Sequence, residues 1–168
     1  MRAMARMLRN VGLGLVAALA VYYCVRALVI ALASPATRVR WVVEDMLEGF
    51  NRARAAPVLE GIAKDFVDAT AALTREDIHK VLVYLYLNET DEQGGFLWSA
   101  TLVPDSLAVE VAEDEQSADT RLAVQFHLRR GAQSELVWDA QFRGTVSRTD
   151  DGWRWTRLAL ANHGDRRR

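Results

Sequence analysis

The side chains able to do chemistry in this 168-residue chain are few and scattered. His79, His127 and His163 stand far apart, with no His-x-x-x-His and no second cysteine beside them. Zinc and its relatives need three or four nitrogen or sulfur donors at short spacing, so no metal and no cofactor is expected. The one cysteine, Cys24, falls in an apolar stretch, which leaves the rest of the chain without a disulfide. No Gly-x-Gly-x-x-Gly, Walker or Gly-x-Ser-x-Gly pattern occurs. Nucleotide binding and serine hydrolysis therefore lack their usual machinery. Of the five tryptophans, Trp41 stands beside Arg38 and Arg40, a combination suited to a membrane–water interface. Trp98, Trp138, Trp153 and Trp155 fall on strand-like segments and are expected in the core.

The elements that must position these residues differ sharply in charge. Residues 1–40 carry six arginines and no acid, a net of +6, while residues 41–168 carry −7, so the overall −1 is a cancellation. An acidic body repels phosphate backbones, and no nucleic-acid partner is expected. Residues 1–10 form a basic flank, and residues 11–33 run apolar with one charge, Arg26. At about 1.5 Å per helical residue, this run just spans a hydrocarbon core of about 30 Å. The arginine costs about 2.5–3.5 kcal/mol near the centre and less if it snorkels. A single-pass signal-anchor is the expectation, with membrane lipid as partner through residues 11–33 and Arg26, Arg38, Arg40 and Trp41 at or near the interface. A cleaved signal peptide ending at Ala31-Leu-Ala33 is the alternative. Arg2, Arg6 and Arg9 before the run nearly balance Arg38, Arg40, Arg52 and Arg54 after it. The tight N-terminal group resembles a signal-anchor, so the N-terminus is expected in the cytoplasm and the body outside the cell membrane.

Beyond the apolar run, residues 34–163 read as one α+β domain and residues 164–168 as a basic tail. Val39, Val42, Val43, Met46, Leu47 and Phe50 make one helical stripe. Pro57 suits the first turn of a second helix carrying Val58, Leu59, Ile62 and Phe66, with Asp65 and Asp68 near its end. Thr74-Arg-Glu-Asp77 reads as a capping box opening a third helix that ends near Asn88. After Gly94-Gly95 the period falls to two, giving four or five antiparallel strands up to Ala161. Gln125, His127 and Arg129 occupy the polar phase of one strand, where they could pair across strands with Asp139, Gln141 and Arg143. Helices segregated from a meandering sheet define α+β, with the helices packed on one face of a curved sheet.

The Asp65-Phe-Val-Asp68 segment, the Leu73-Thr-Arg-Glu-Asp-Ile78 helix start and the closing Asp151-Gly-Trp-Arg-Trp155 strand resemble the nuclear transport factor two-like superfamily. That group includes SnoaL-like polyketide cyclases and ketosteroid isomerase-like proteins, and the resemblance covers about residues 41–161. It implies a cone of curled sheet around a long helix, with an interior pocket and dimerisation through the sheet. Membrane-tethered relatives serve as assembly parts. For isomerases of the group it further implies a carboxylate base and a tyrosine donor in an apolar pocket, which raises an acid's pKa. The candidates here are Asp65, Asp68, Tyr84 and Tyr86. The tyrosines lie two apart on a helix and cannot face the same way. The apolar strand faces contribute almost no acid. The leading expectation is therefore a non-enzymatic membrane protein displaying this domain for interaction or assembly, as a homodimer or with a membrane-complex partner through the sheet. The alternative is a small apolar ligand binder or an isomerase- or cyclase-like enzyme using the cone.

Overall fold

The computed structural model describes residues 19–25, 28–29 and 32–163. The chain divides into two compact units, residues 1–34 and 35–168. In the first, residues 19–25 are helical, and Leu19, Tyr22 and Tyr23 are exposed. Among the described residues, no helix is long and apolar enough to cross a membrane. The span expected over 11–33 lies in good part outside them, Arg26 included.

The second unit opens with α1 (Pro35–Asn51), where proline at the first helical position forfeits no hydrogen bond. Val39 and Val43 are buried, and Val42, Met46, Leu47 and Phe50 pack against the same core, as their spacing predicts. Arg38 and Trp41 are half-buried in the first two turns, and Arg40 is exposed. Next come α2 (Ala55–Glu60), β1 (Ile62–Asp68) and α3 (Arg75–Asn88). The strands β2 (Trp98–Leu102), β3 (Ala108–Val111), β4 (Ser117–Arg130), β5 (Gln133–Thr149) and β6 (Gly152–His163) complete the unit. The sheet order is β1-β6-β5-β4-β2, with β3 also paired to β4.

Two expectations need correction. The second helix stops at Glu60, and Ile62 to Asp68 form a strand parallel to β6, so the sheet is not wholly antiparallel. Ile62 and Phe66 are four residues apart, a spacing that puts two side chains on one face of a helix and equally on one face of a strand. Pairing decides between them: the Trp155 N–H donates to the Gly61 carbonyl at 2.8 Å, and Ile62 lies in register with Trp155. The expected cross-strand charge pairs do not form among the described residues. Gln125 lies opposite Asp139 in register but carries no charge, Arg143 faces Arg121, and Arg129 instead forms an ion pair with Asp91.

The long strands carry register shifts at Phe126/His127, Gln141/Phe142 and Thr145/Val146. Such bulges bend a strand and strengthen its twist, which curls the sheet around α1. The core brings Val39 and Val43 of α1 together with Phe66, Leu122, Val124, Val146, Trp153 and Trp155. The helix start at Thr74 has both halves of the capping box: the Asp77 N–H donates to Thr74 Oγ1, and the Thr74 N–H donates to Asp77 Oδ2.

Candidate functional site

The curl of the sheet over α1 leaves an apolar cavity of about 180 Å³. Val43, Met46, Leu47 and Phe50 enter it from α1, Ile62 and Phe66 from β1, and Phe126, Phe142 and Trp155 from the long strands. Every lining side chain is apolar, so no group in the wall can exchange a proton. Aromatic rings cluster around this space. Phe50 meets Phe126 at 5.8 Å and Phe96 at 5.5 Å, and Phe126 stacks on Trp138 at 5.1 Å.

The four carboxylate and tyrosine candidates go to separate places. Asp65 is exposed on β1 and faces a different cleft. Asp68 closes the turn after β1, where its carboxylate accepts from the Thr70 and Ala71 N–H groups at 3.2 and 2.7 Å. Tyr84 is 63% exposed on the outer side of α3. Tyr86 packs edge-on against Phe96 at 5.0 Å, and its buried hydroxyl has no hydrogen-bond partner among the described residues. Burial penalises the phenolate and pushes the Tyr86 pKa up to about 12. A proton-transfer pair needs its members within hydrogen-bond reach of one reacting atom, and these four residues are not gathered at the cavity. His79 is exposed and His127 half-buried. Among the described residues, no group of three or more metal-ligating side chains is placed to hold an ion.

A second, charged cleft of about 550 Å³ lies between α2, β1, the first residue of α3 and the β5–β6 turn. Glu60, Lys64, Asp65, Arg75, Asp150, Asp151 and Arg154 line it. Of these, sequence reasoning named only Asp65 as a site candidate; Arg75, Asp151 and Arg154 entered it only as parts of a capping box and a closing strand. No periodic signal links the segments that bear the others. They meet because β1 pairs with β6, the strand whose opening turn carries the two aspartates.

Solved structures with this arrangement of elements are similar to the chain at low sequence identity. A nuclear transport factor two-like protein with a cystatin-like fold from Novosphingobium aromaticivorans is 17% identical, with a TM-score of 0.59 over 75% of this chain and 81% of that one. A proposed aromatic ring hydroxylase from the same organism is 16% identical, with a TM-score of 0.59 over 74% of this chain and 86% of that one. A nuclear transport factor two-like superfamily protein from Salmonella enterica serovar Typhimurium is 12% identical, with a TM-score of 0.57 over 78% of this chain and 92% of that one. No protein-family model matches the chain, and no curated protein matches its sequence. The fold is thus the nuclear transport factor two-like, cystatin-like cone: α+β, with helices packed on a curved sheet.

Proposed function

We propose that this chain is a non-enzymatic, single-pass membrane protein that displays its cone domain outside the cell membrane for interaction or assembly. The observation that carries the non-catalytic part is the cavity wall, which is apolar throughout while Asp65, Asp68, Tyr84 and Tyr86 are dispersed. The tether rests on the apolar run at 11–33 and the basic flank before it. The partner surface is the polar outer face of the sheet, where Asp119, Arg121, Asp139, Gln141 and Arg143 are exposed. A second copy or a membrane-complex partner would seat there. A reporter enzyme fused after His163 tests the topology: activity confined to the periplasm is expected, and activity confined to the cytoplasm refutes it. Light scattering of the detergent-solubilised chain, with Arg121→Glu and Arg143→Glu variants, tests the sheet as a self-association surface.

The cavity itself favours a second reading, a small apolar ligand. Drug-sized ligands occupy about 300–1,000 Å³, whereas a dry cavity of about 150 Å³ accommodates a single benzene ring. At about 180 Å³, this one fits a single-ring compound and is too small for a steroid or polyketide skeleton. Benzene or toluene should raise the melting temperature of the chain, and Ala100→Leu should abolish the rise. No shift at saturating ligand would end this reading.

A further inference from the structure

The charged cleft holds two guanidinium groups set in place by the main chain. Arg75 Nε donates to the Leu59 carbonyl at 3.2 Å, and Arg154 Nη1 donates to the Trp153 carbonyl at 2.8 Å. Both arginines are half-buried and come from different elements, α3 and β6. A guanidinium carries five N–H donors in a planar fork, so each keeps donors beyond the one it uses. Neither forms an ion pair within 4.0 Å among the described residues, although four carboxylates line the same cleft. Lys64, Glu60, Asp65, Asp150 and Asp151 are likewise without an ion-pair partner there.

Near-balance of the two signs restricts the ligand. A polyanion would meet Glu60, Asp65, Asp150 and Asp151, and a polycation would meet Lys64, Arg75 and Arg154. A compact molecule carrying one charge of each sign satisfies both sets. Forked N–H donors match a carboxylate geometrically, and exposed aspartates accept from an ammonium. The volume, about 550 Å³, falls within the range of ligand sites.

We propose that this cleft binds a zwitterion of the amino-acid or short-peptide class. Its carboxylate lies on Arg75 and Arg154, and its ammonium lies toward Asp65, Asp150 and Asp151. The site is separate from the apolar cavity and does not depend on the membrane tether.

Triglycine, with both termini charged, is the probe. N-acetyltriglycine keeps only the anion and triglycinamide only the cation. Titration of the full-length chain in mild detergent, followed by amide NMR, should show saturable shifts at Glu60–Asp65 and Thr149–Arg154 with triglycine. Each singly charged analogue should bind at least about tenfold more weakly, the loss expected for one charge-assisted contact. Arg154→Gln and Arg75→Gln should weaken triglycine by a similar factor. Asp65→Asn, at an exposed strand position, should weaken triglycine and leave N-acetyltriglycine unchanged. Equal affinity for triglycine and N-acetyltriglycine, unchanged binding in all three variants, or no saturable shift would each overturn the proposal.

Discussion

Asn51 meets both main-chain groups of Ala100: its Nδ2 donates to the Ala100 carbonyl at 2.9 Å, and its Oδ1 accepts from the Ala100 N–H at 2.6 Å. Asn51 is the last residue of α1, and Ala100 is the middle residue of β2, a strand at the edge of the sheet. An edge strand presents unpaired N–H and C=O groups that invite another chain to pair with it. The carboxamide covers one such pair and ties the central helix to the sheet margin. Asn51→Ala should lower unfolding stability by about 1–3 kcal/mol, the range for leaving buried polar groups unsatisfied. Asn51→Asp should be worse at neutral pH, because a carboxylate cannot donate to the Ala100 carbonyl. Urea denaturation midpoints of the two variants check both statements.

The helix start at Thr74 carries a pH dependence of known sign. Hydrogen bonds from the Thr74 hydroxyl and backbone N–H hold the Asp77 carboxyl below its ordinary value of 3.8, with Lys80 adding a smaller pull in the same direction. The folded pKa is depressed, so this stabilisation is present above pH 3.8 and is lost as pH falls through the folded value. Thr74→Ala should cost about 1 kcal/mol at neutral pH. It should also move the Asp77 carboxyl resonance to a higher titration midpoint in a carbon-detected NMR titration.

Tyr86 makes the opposite case at high pH. Its pKa is raised from 10.0 to about 12 by burial, so its contribution to stability is whole below pH 10 and is lost as pH climbs through about 12. Tyrosinate absorbance should show one late-ionising group, absent in Tyr86→Phe. Because the hydroxyl has no partner among the described residues, that variant should be as stable as the parent or more stable, by up to about 1 kcal/mol. A clear loss of stability would mean that the hydroxyl is hydrogen-bonded in solution.

Gly144 is required by close approach of β5 to β6. A Cβ there would meet the Arg157 carbonyl oxygen, the Trp155 ring at 2.9 Å and the Leu158 Cα at 3.0 Å. Two of these are backbone atoms fixed by the ladder, so the strands would have to separate. Gly144→Ala should cost about 1–3 kcal/mol, typical of overpacking, and should red-shift tryptophan emission as Trp155 is exposed.

Much of the architecture is legible in the order of residues because its signals are local. An apolar run over Phe96–Val103 and period-two alternation from Leu107 onward mark the strands of the meander, and the hydroxyl and carboxylate of Thr74 and Asp77 lie three residues apart, as a capping box requires. The stripe from Val39 to Phe50 identifies the helix at the centre of the cone for the same reason. Site residues are less legible. Asp68 and Tyr84 have the right chemistry, yet one serves a turn and the other faces solvent, because the direction of a side chain depends on what packs against its element.

Read without coordinates, the chain already specifies a basic, apolar N-terminal segment, an acidic body and an α+β order, since charge, hydropathy and period are sums over neighbours. Whether Ile62 and Phe66 belong to a helix or a strand is not such a sum. Their four-residue spacing satisfies both, and the choice is made by hydrogen bonds to β6, about ninety residues away along the chain. That pairing brings Asp65 beside the β5–β6 turn and assembles the charged cleft, while the curl of the sheet over α1 shapes the apolar cavity. Both features are products of long-range contact, which no local pattern encodes.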